Sequence, residues 1–153
     1  MIIREATTSD RNFIFDLSPD LIEAAQLSWH SNEVMDRFQK RYIEESIDNQ
    51  DDPHVLYIAE EDQTPLGFIH VIEITEEISQ EKCANVTLLA VTKEARGKGV
   101  GHALMVKAEM WAKEKRYPIL QLEVFYNNDN ARNFYESHGF MNDTIVMAKP
   151  LKD

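Results

Sequence analysis

The feature that most constrains this chain is a glycine-rich turn at residues 96–101, which reads Arg-Gly-Lys-Gly-Val-Gly. Residues 85–92 before it are mostly apolar and predict a buried strand. After it, apolar residues recur at helical spacing and predict one face of a long helix. They are Val100, Ala103, Leu104, Ala108 and Trp111. The turn therefore joins a buried strand to the N-terminus of a helix.

Three alternating glycines, Gly97, Gly99 and Gly101, leave the backbone amides of this turn unobstructed by side chains. The first turn of a helix also carries unpaired N–H groups and the positive end of the helix dipole. Arg96 and Lys98 add two cations beside those amides. These features predict a phosphate or pyrophosphate site, although a tight strand-to-helix turn without a ligand can contain the same glycines.

Two common nucleotide-binding loops do not fit this turn. It lacks the Gly-x-x-x-x-Gly-Lys-Ser/Thr pattern of the P-loop. It also lacks the Gly-x-Gly-x-x-Gly pattern of dinucleotide-binding folds, because the third glycine comes too early. Neither a nucleoside triphosphate nor NAD is therefore predicted as its ligand.

The first half of the chain alternates between strand and helix patterns. A short strand is predicted at residues 2–6, and the polar residues 7–10 can cap a following helix. An amphipathic helix is predicted from Asn32 to about Ile47. Its apolar positions are Val34, Phe38, Tyr42 and Ile47. Residues 54–60 and 65–74, rich in β-branched and aromatic residues, flank a polar turn and predict a hairpin.

The second half predicts a parallel strand pair. A strand at residues 119–125 should run parallel to the one at residues 85–92, because a strand, a crossover helix and a strand normally form a right-handed unit. A short helix around Ala131 to Tyr135 and a last strand at residues 144–148 follow. The predicted fold class is α/β with a mixed sheet of about six or seven strands, a central parallel pair and about four helices. Residues 1–153 are expected to form a single domain.

Charge and composition restrict the partners and the setting. The net charge is −11, with 27 acidic and 16 basic residues. This balance opposes binding to nucleic acid or anionic membranes and favours cationic ligands, although it also serves solubility. No apolar run approaches the roughly 20 residues that cross a bilayer. The absence of a targeting pattern at the N-terminus and the single Cys83 predict a cytoplasmic location.

No metal site is expected from the distribution of ligand-type residues. The five histidines are dispersed without the spacing of metal ligands, and the one cysteine stands alone. The histidines are His30, His54, His70, His102 and His138. They are predicted to be structural or surface residues.

Two motifs resemble those of the GNAT acetyltransferases. The family loop reads Arg/Gln-x-x-Gly-x-Gly/Ala after an apolar strand, and Arg96, Gly99 and Gly101 occupy its fixed positions. The second motif reads Asn-x-x-Ala-x-x-x-Tyr-x-x-x-Gly-Phe, and residues 128–140 match every fixed position. The termini are similar to family termini as well. The resemblance covers nearly the whole chain and implies the acyl-CoA N-acyltransferase fold.

The resemblance implies how acetyl-CoA is held. In the family the loop grips the CoA pyrophosphate, which assigns residues 96–101 to the cofactor. The strand before the loop pairs through its backbone with the pantetheine arm, and this places Leu89 and Val91 along it. Asn128 matches a position that hydrogen-bonds the cofactor, although it can also cap a helix. Arg132 either reaches a phosphate or is solvated.

The resemblance also implies catalytic residues. Tyr135 matches the family tyrosine that faces the CoA sulfur, and a phenol can donate a proton or a hydrogen bond to the thiolate. The base is less defined, because Asn85 stands where many relatives carry glutamate. Glu123, five residues before Asn128, matches the glutamate of relatives that acetylate protein N-termini and is preferred. Water and the hairpin glutamates are the alternatives; the latter are Glu73, Glu76 and Glu77.

The implied activity is transfer of acetyl from acetyl-CoA to a primary amine by direct attack in a ternary complex. The acidic balance favours a small cationic amine as acceptor. Residues 18–49 are expected to form one wall of the acceptor site, with Trp29, His30, Met35 and Phe38. A protein N-terminus or lysine side chain is the alternative acceptor, and a non-catalytic acyl-CoA-binding regulatory domain is the alternative outside the enzymes. A homodimer is preferred, since relatives include monomers and dimers.

Overall fold

The structure is a computed structural model that describes residues 1–21, 29–48 and 53–151. Its strands are β1 (Ile2–Glu5), β2 (His54–Glu61), β3 (Thr64–Thr75), β4 (Lys82–Val91) and β5 (Leu120–Leu122). Its α-helices are α1 (Arg11–Leu17), α2 (Asn32–Asp48), α3 (Val100–Glu114) and α4 (Asp129–Ser137). The predicted mixed α/β class is confirmed. No helix within the described ranges is long and apolar enough to cross a membrane.

The five strands form one sheet in chain order, β1-β2-β3-β4-β5. The first four strands pair antiparallel, which confirms the predicted hairpin of β2 and β3. β4 and β5 pair parallel over Ala84–Val86 and Leu120–Leu122. α3 is the crossover between them, as the right-handed strand-helix-strand rule requires. The predicted parallel pair is therefore confirmed, although β5 is shorter than the predicted strand.

Each face of the sheet packs against helices. On one face, here called the α3 face, Ile69 and Val86 pack with Leu104 and other residues of α3. On the opposite face, here called the α2 face, Phe68 and Leu88 pack with residues of α1 and α2. Burial of these apolar side chains on both faces stabilises the three layers.

β4 contains a β-bulge at Thr87 that reverses which side chains face each helix layer. Val86 packs on the α3 face, and Leu88, two positions later in the chain, packs on the α2 face. The pairing with β3 slips at the same point, since His70 lies opposite Leu88 while Val71 lies opposite Val86. One extra residue in a strand produces this reversal and bends the strand.

α2 spans the predicted residues but buries a different stripe of its surface. Val34 and Phe38 were predicted to lie on the buried face, yet they are 40% and 37% exposed. The buried residues of α2 are Met35, Gln39, Ile43 and Ile47. Two adjacent stripes of this helix carry apolar residues, and spacing alone does not select between them. The stripe with two isoleucines packs in the α2-face core, and Val34, Phe38 and Tyr42 lie beside it.

The predicted last strand at residues 144–148 is wrong. Residues 141–151 form no strand, and Val146 and Met147 are 94% and 90% exposed. The segment has β-branched residues, but strand propensity acts only where a neighbouring strand offers backbone partners. β5, the last strand of the sheet, extends over three residues. The described residues therefore contain five strands rather than six or seven.

An ion-pair network fixes the chain at the start of the fold. The two terminal nitrogens of Arg4, Nη1 and Nη2, donate to the Asp10 carboxylate, at 2.8 and 2.9 Å. Arg4 Nε lies 2.9 Å from Glu60 on β2. The hydrogen bond from Arg4 holds the pKa of buried Asp10 below its usual value against the opposing effect of burial. The network ties β1, the turn after it and β2 together.

Burial of His70 makes stability depend on pH. Its side chain is 1% exposed, and burial, followed by the nearby His54, lowers its pKa to about 4. Between the ordinary value near 6.5 and this value, the unfolded chain binds a proton that the folded chain does not. We expect the free energy of unfolding to fall by about 3 kcal/mol as the pH drops through this window.

Urea denaturation between pH 7 and pH 4 measures this loss. The His70→Gln variant should show a flatter profile than the parent protein, because it removes the group whose pKa is lowered. A parent profile that does not fall in this window would show that His70 is accessible to protons in the folded state.

Candidate active site

A cleft opens where β4 and β5 separate. Their last paired residues are Val86 and Leu122, and β4 continues to Val91 while β5 ends. The side of β4 that faced β5 is therefore a strand edge beyond Val86 within the described part of the chain. Its backbone N–H and C=O groups are available to an extended ligand. Leu89 and Val91 lie on this stretch, with their side chains packed toward the α3-face core.

The glycine turn follows β4 at the end of this cleft. Gly97 and Gly99 have φ of +78° and +80°, a left-handed conformation that side chains disfavour. No atom lies within 4 Å of the position that a Cβ would take on either glycine, so this side of each residue is open space. α3 begins at Val100, and its first hydrogen bond runs from the Ala103 amide to the Gly99 carbonyl, at 3.0 Å. The amides of residues 100–102 precede that bond and have no partner one turn earlier.

The charges of the turn face solvent beside these amides. Arg96 and Lys98 are both exposed. The helix dipole of α3 adds positive potential at the same place. Amides, dipole and two cations together form a setting for an anion such as a pyrophosphate.

The third glycine of the turn brings the two sequence motifs into contact. A Cβ built on Gly101 would lie 3.3 Å from the Phe134 ring on α4. A side chain at this position would require the Phe134 ring to shift by a few tenths of an ångström, so glycine suits the close approach of α4 to the start of α3. Residues 96–101 and 128–140, far apart in sequence, therefore lie side by side.

α4 positions the candidate acid. Asn128 begins the helix, and its side-chain oxygen accepts a hydrogen bond from the Ala131 amide at 3.2 Å. Tyr135 is half-buried between the rings of Phe134 and Phe140, with ring centroids 5.5 and 5.8 Å away. Burial raises the pKa of Tyr135 to about 12. Its hydroxyl is therefore a neutral hydrogen-bond donor at neutral pH.

Arg132 is held by its own surroundings. Its guanidinium donates to the Tyr126 carbonyl at 3.2 Å and lies 4.3 Å from the centre of the Tyr126 ring. Its second nitrogen lies 3.9 Å from Glu136. These contacts hold Arg132 against the loop before α4. Its guanidinium is therefore already engaged and is not positioned by the glycine turn at residues 96–101.

The candidate base Glu123 follows β5 at the cleft. Leu120 and Leu122 pack against the α3-face core. Because side chains alternate along a strand, Gln121 and Glu123 point to the α2 face. Glu123 is exposed there. Asn85, the position at which many family members carry glutamate, pairs with Gln121 in the parallel ladder.

Two of the three hairpin glutamates already have partners. The Tyr117 hydroxyl donates to the Glu73 carboxylate, and Lys82 lies 3.9 Å from it. The Glu76 carboxylate accepts hydrogen bonds from the amides of Ile78 and Ser79, at 3.1 and 2.6 Å. These contacts stabilise the end of the hairpin and engage Glu73 and Glu76, whereas Glu123 directly follows the last residue that pairs β5 with β4.

The sequence reasoning missed three residues at the origin of the cleft. The Thr87 hydroxyl lies 2.5 Å from His70 Nδ1, and the Thr87 carbonyl accepts a hydrogen bond from the Tyr42 hydroxyl at 3.2 Å. The available signal was a threonine and a histidine, each inside an otherwise apolar strand. Polar residues there indicate an interruption of regular pairing, which is the bulge.

The expected acceptor wall is described only in part. Residues 22–28 and 49 lie outside the described ranges. Trp29 is 48% exposed and stacks on His30, with ring centroids 3.5 Å apart. Met35 is buried, and Phe38 is exposed beside Tyr42. Phe38 therefore remains a candidate for the wall, and Met35 belongs to the core.

Similar proteins are known for most of this chain. The family model described as the acetyltransferase (GNAT) family matches residues 19–140. Streptothricin acetyltransferase A of Bacillus subtilis (strain 168) is 36% identical over 112 residues, which span 69% of this chain and 62% of that protein. The peptidyl-lysine N-acetyltransferase YiaC of Escherichia coli (strain K12) is 32% identical over 84 residues, 55% of this chain and 48% of that protein. The chain thus spans less than two thirds of either relative.

A solved structure extends the fold likeness to almost the entire chain. A proposed acetyl transferase from Pyrococcus furiosus superposes with a TM-score of 0.81 at 25% identity, covering 98% of this chain and 99% of that chain. The chain therefore belongs to the acetyltransferase (GNAT) family, whose members use acetyl-CoA as the acetyl donor. The family predicted from the two motifs is confirmed.

The left-handed glycines provide a test of the turn geometry. Replacing Gly99 with alanine should lower the free energy of unfolding by about 1–2 kcal/mol, because a Cβ is disfavoured at positive φ even in open space. Urea denaturation measures the change. The neighbouring Lys98→Ala substitution is the matched control and should change stability by less than about 0.5 kcal/mol. Equal stability of both variants would contradict the left-handed conformation.

Proposed function

We propose that this chain, as a single domain over residues 1–153, is an N-acetyltransferase that moves the acetyl group of acetyl-CoA to a primary amine. The observation that supports the proposal is that the glycine turn lies against both the end of β4 and the helix α4, which carries Tyr135, since a Cβ on Gly101 would lie 3.8 Å from Val91 and 3.3 Å from Phe134. The contact between Gly101 and Phe134 supports this arrangement. Anion binding, thioester alignment and a hydrogen-bond donor are the functions that this reaction needs.

Acetyl-CoA fits the residues of the cleft. The amides of Gly97, Gly99, Val100 and Gly101 would bind its pyrophosphate together with the cationic side chains of Arg96 and Lys98, whereas the Lys98 amide already donates to the Ala95 carbonyl at 3.4 Å. The backbone of β4 at Leu89 and Val91 would pair with the pantetheine arm. At the border of the site, the cofactor would also contact Asn128, which caps α4, and Arg132, which stacks on Tyr126. Bound in this way, acetyl-CoA supplies an activated thioester carbonyl.

The chemistry requires that the amine lose a proton and the thiol leave. Glu123 accepts the proton from the incoming ammonium, and the neutral amine nitrogen then forms a bond to the thioester carbonyl carbon. The carbon–sulfur bond breaks, and CoA departs as a thiolate. The nitrogen then loses its second proton, which passes through solvent to the thiolate, so that the products are the amide and the CoA thiol. Tyr135 donates a hydrogen bond to the sulfur as its charge develops. Because the pKa of Tyr135 is raised to about 12, hydrogen bonding rather than complete proton transfer is its main contribution.

A small cationic amine is the preferred acceptor. The net charge of −11 attracts such a ligand, and the similarity to a streptothricin acetyltransferase supports a small-molecule acceptor. The similarity to a peptidyl-lysine N-acetyltransferase supports a protein amine as the second candidate. No nucleic acid or membrane partner is proposed. The protein is proposed to be a homodimer and to act in the cytoplasm. The free thiol of buried Cys83 agrees with such a reducing compartment.

A panel assay tests the function. Purified protein is incubated with acetyl-CoA and polyamines, amino sugars, amino acids or peptides with free N-termini and lysines, and thiol release is followed while products are identified by mass. We expect an acetylated small cationic amine. If only peptides are acetylated, the acceptor is instead a protein N-terminus or a lysine side chain. Tight acetyl-CoA binding without any acetylated product would favour the regulatory-domain alternative.

The Tyr135→Phe variant separates an enzyme from a binding module. Loss of the hydroxyl should lower kcat by about 100-fold, because the hydrogen bond to the departing sulfur forms in the transition state. The dissociation constant of acetyl-CoA should change less than about twofold. Tyr117→Phe removes a hydroxyl bonded to Glu73 at the end of the hairpin and is the control. An unchanged kcat in Tyr135→Phe would exclude Tyr135 from the reaction.

A further inference from the structure

The C-terminal segment, residues 141–151, lies outside the packed domain. Phe140 is the last residue of the described chain that packs against the α3-face core, and every described residue after it is exposed. Val146 and Met147 are 94% and 90% exposed, and Ile145 beside them is exposed as well. Monomeric soluble proteins rarely present such a continuous apolar run to water. We therefore expect this segment to be covered in the assembled protein.

The C-terminal segment has the composition of a buried strand. Its central residues read Thr-Ile-Val-Met-Ala, which favour extended backbone, and Pro150 follows them as a breaker. Because side chains alternate along a strand, Ile145 and Met147 would lie on one face and Val146 on the other. Apolar residues on both faces are typical of a strand that is covered on both sides. The backbone of this segment makes no hydrogen bond to any described residue, so the strand lacks a neighbour.

β5 has the complementary deficit, which is an unpaired edge. Across the described ranges the sheet ends at β5. The Ala84 amide donates to the Ile119 carbonyl at 3.0 Å, so Ile119 and, two residues later, Gln121 direct their backbone groups at β4. Leu120 and Leu122 therefore present their N–H and C=O groups to the opposite, outer edge. Such an edge is a template for one further strand.

The outer edge of β5 and the C-terminal segment bring little charge together. β5 itself is uncharged, and the apolar residues Ile119 and Val124 at its two ends are exposed. The segment carries one acidic and one basic residue, Asp143 and Lys149. The net charge of the chain is −11, so contact between most other surfaces of two copies would be opposed by repulsion. These two surfaces suit each other and a partner of the same sequence.

The two deficits do not compensate each other within one chain. The C-terminal segment leaves the domain after Phe140 and does not pair with β5 of its own chain. Two copies compensate both deficits by exchange, because the segment of each copy can pair with β5 of the other. A twofold axis closes this exchange and leaves neither the segments nor the edges unpaired. The chain itself supplies both parts of the interface.

We propose that two copies of this chain form a homodimer by exchanging residues 143–149, which add as a strand to the outer edge of β5 in the partner copy. This inference rests on the homodimer of the proposed function and deepens it by naming the surface. The exchanged segment starts next to the candidate acid, since the Phe140 amide donates to the Tyr135 carbonyl at 3.1 Å. The Phe140 and Tyr135 rings lie 5.8 Å apart. The exchange would therefore anchor the chain directly after α4.

Charged substitutions in the exchanged strand test the interface. Sedimentation velocity of the full chain without acetyl-CoA should show a dimer. The double variant Val146→Asp/Met147→Asp would bury one charge on each face of the strand, so the dissociation constant of the dimer should rise about 100-fold or more. Both residues are exposed in the single chain, so circular dichroism should show an unchanged fold. Ile78→Asp, at an exposed apolar residue between β3 and β4, is the matched control and should remain dimeric.

Isotope labelling identifies which copy supplies the strand. In a dimer reconstituted from labelled and unlabelled chains, nuclear Overhauser contacts are expected between β5 of one copy and residues 144–148 of the other. The amides of Leu120 and Leu122 should exchange with solvent slowly in the parent protein, because they donate to the added strand. The same amides should exchange rapidly in the double variant.

Three results would each overturn the exchange. They are a parent protein that stays monomeric, a dimer that survives the double substitution, and a dimer in which the contacts between β5 and residues 144–148 lie within one copy. The first result would also remove the homodimer from the proposed function, whereas the other two would leave it in place. Acetyl transfer is measured separately by thiol release, so its failure would leave the result on the interface unaffected.

Discussion

The β-bulge at Thr87 is the constraint on which the candidate site depends. One extra residue in β4 reverses the alternation of its side chains, so that Val86 and Leu88 pack on opposite faces. This residue directly follows Val86, which makes the last pair of β4 with β5, and a bulge bends the strand that contains it. The cleft is thus a stretch of sheet in which pairing is interrupted and a ligand can take the place of the missing strand.

Neutral groups surround this interruption. Burial lowers the pKa of His70 and raises those of Tyr42 and Tyr135, so all three are uncharged at neutral pH. Each can therefore direct a hydrogen bond without the desolvation cost of a buried charge. The charges are placed where solvent or a ligand can reach them: Glu123 on the α2 face, and the cations of the glycine turn at the far end of β4. This separation suits a reaction in which the phosphates of the acetyl donor bind at one end of the cleft and the amine of the acceptor binds at the other.

Sequence patterns predicted most of the fold because its local signals are strong. The hairpin, the parallel pair and the helix after the glycine turn were all predicted by periodicity and turn residues. The predicted apolar face of α2 was right at Ile47 but wrong at Val34 and Phe38, since these two residues and the adjacent Met35 offer competing apolar faces. The strand at residues 144–148 was wrong because strand formation depends on a neighbouring strand and not on composition alone.

The candidate site was only partly accessible from sequence. The glycine turn and Tyr135 carry their chemistry in local motifs, and the family predicted from them is confirmed. The cluster of Tyr42, Thr87 and His70 depends on strand register and on a bulge, which join residues 17 to 45 positions apart. No local pattern encodes such a contact. A polar residue inside an apolar strand, as at His70 and Thr87, is the one sequence signal that a bulge leaves.

Backbone NMR of the protein with and without acetyl-CoA is the most direct measurement of ligand binding in place of the missing strand. If acetyl-CoA occupies the cleft, the amides of Gly99 to Gly101 and those of residues 88–91 should shift together, while the β1–β2 edge stays unchanged. Slower amide hydrogen exchange at Leu89 and Val91 should accompany the shifts, because these alternate amides face the edge that the pantetheine arm would protect, whereas those of Leu88 and Ala90 face β3. Shifts confined to other surfaces, with the β4 edge unaffected, would contradict the placement of the donor along this strand.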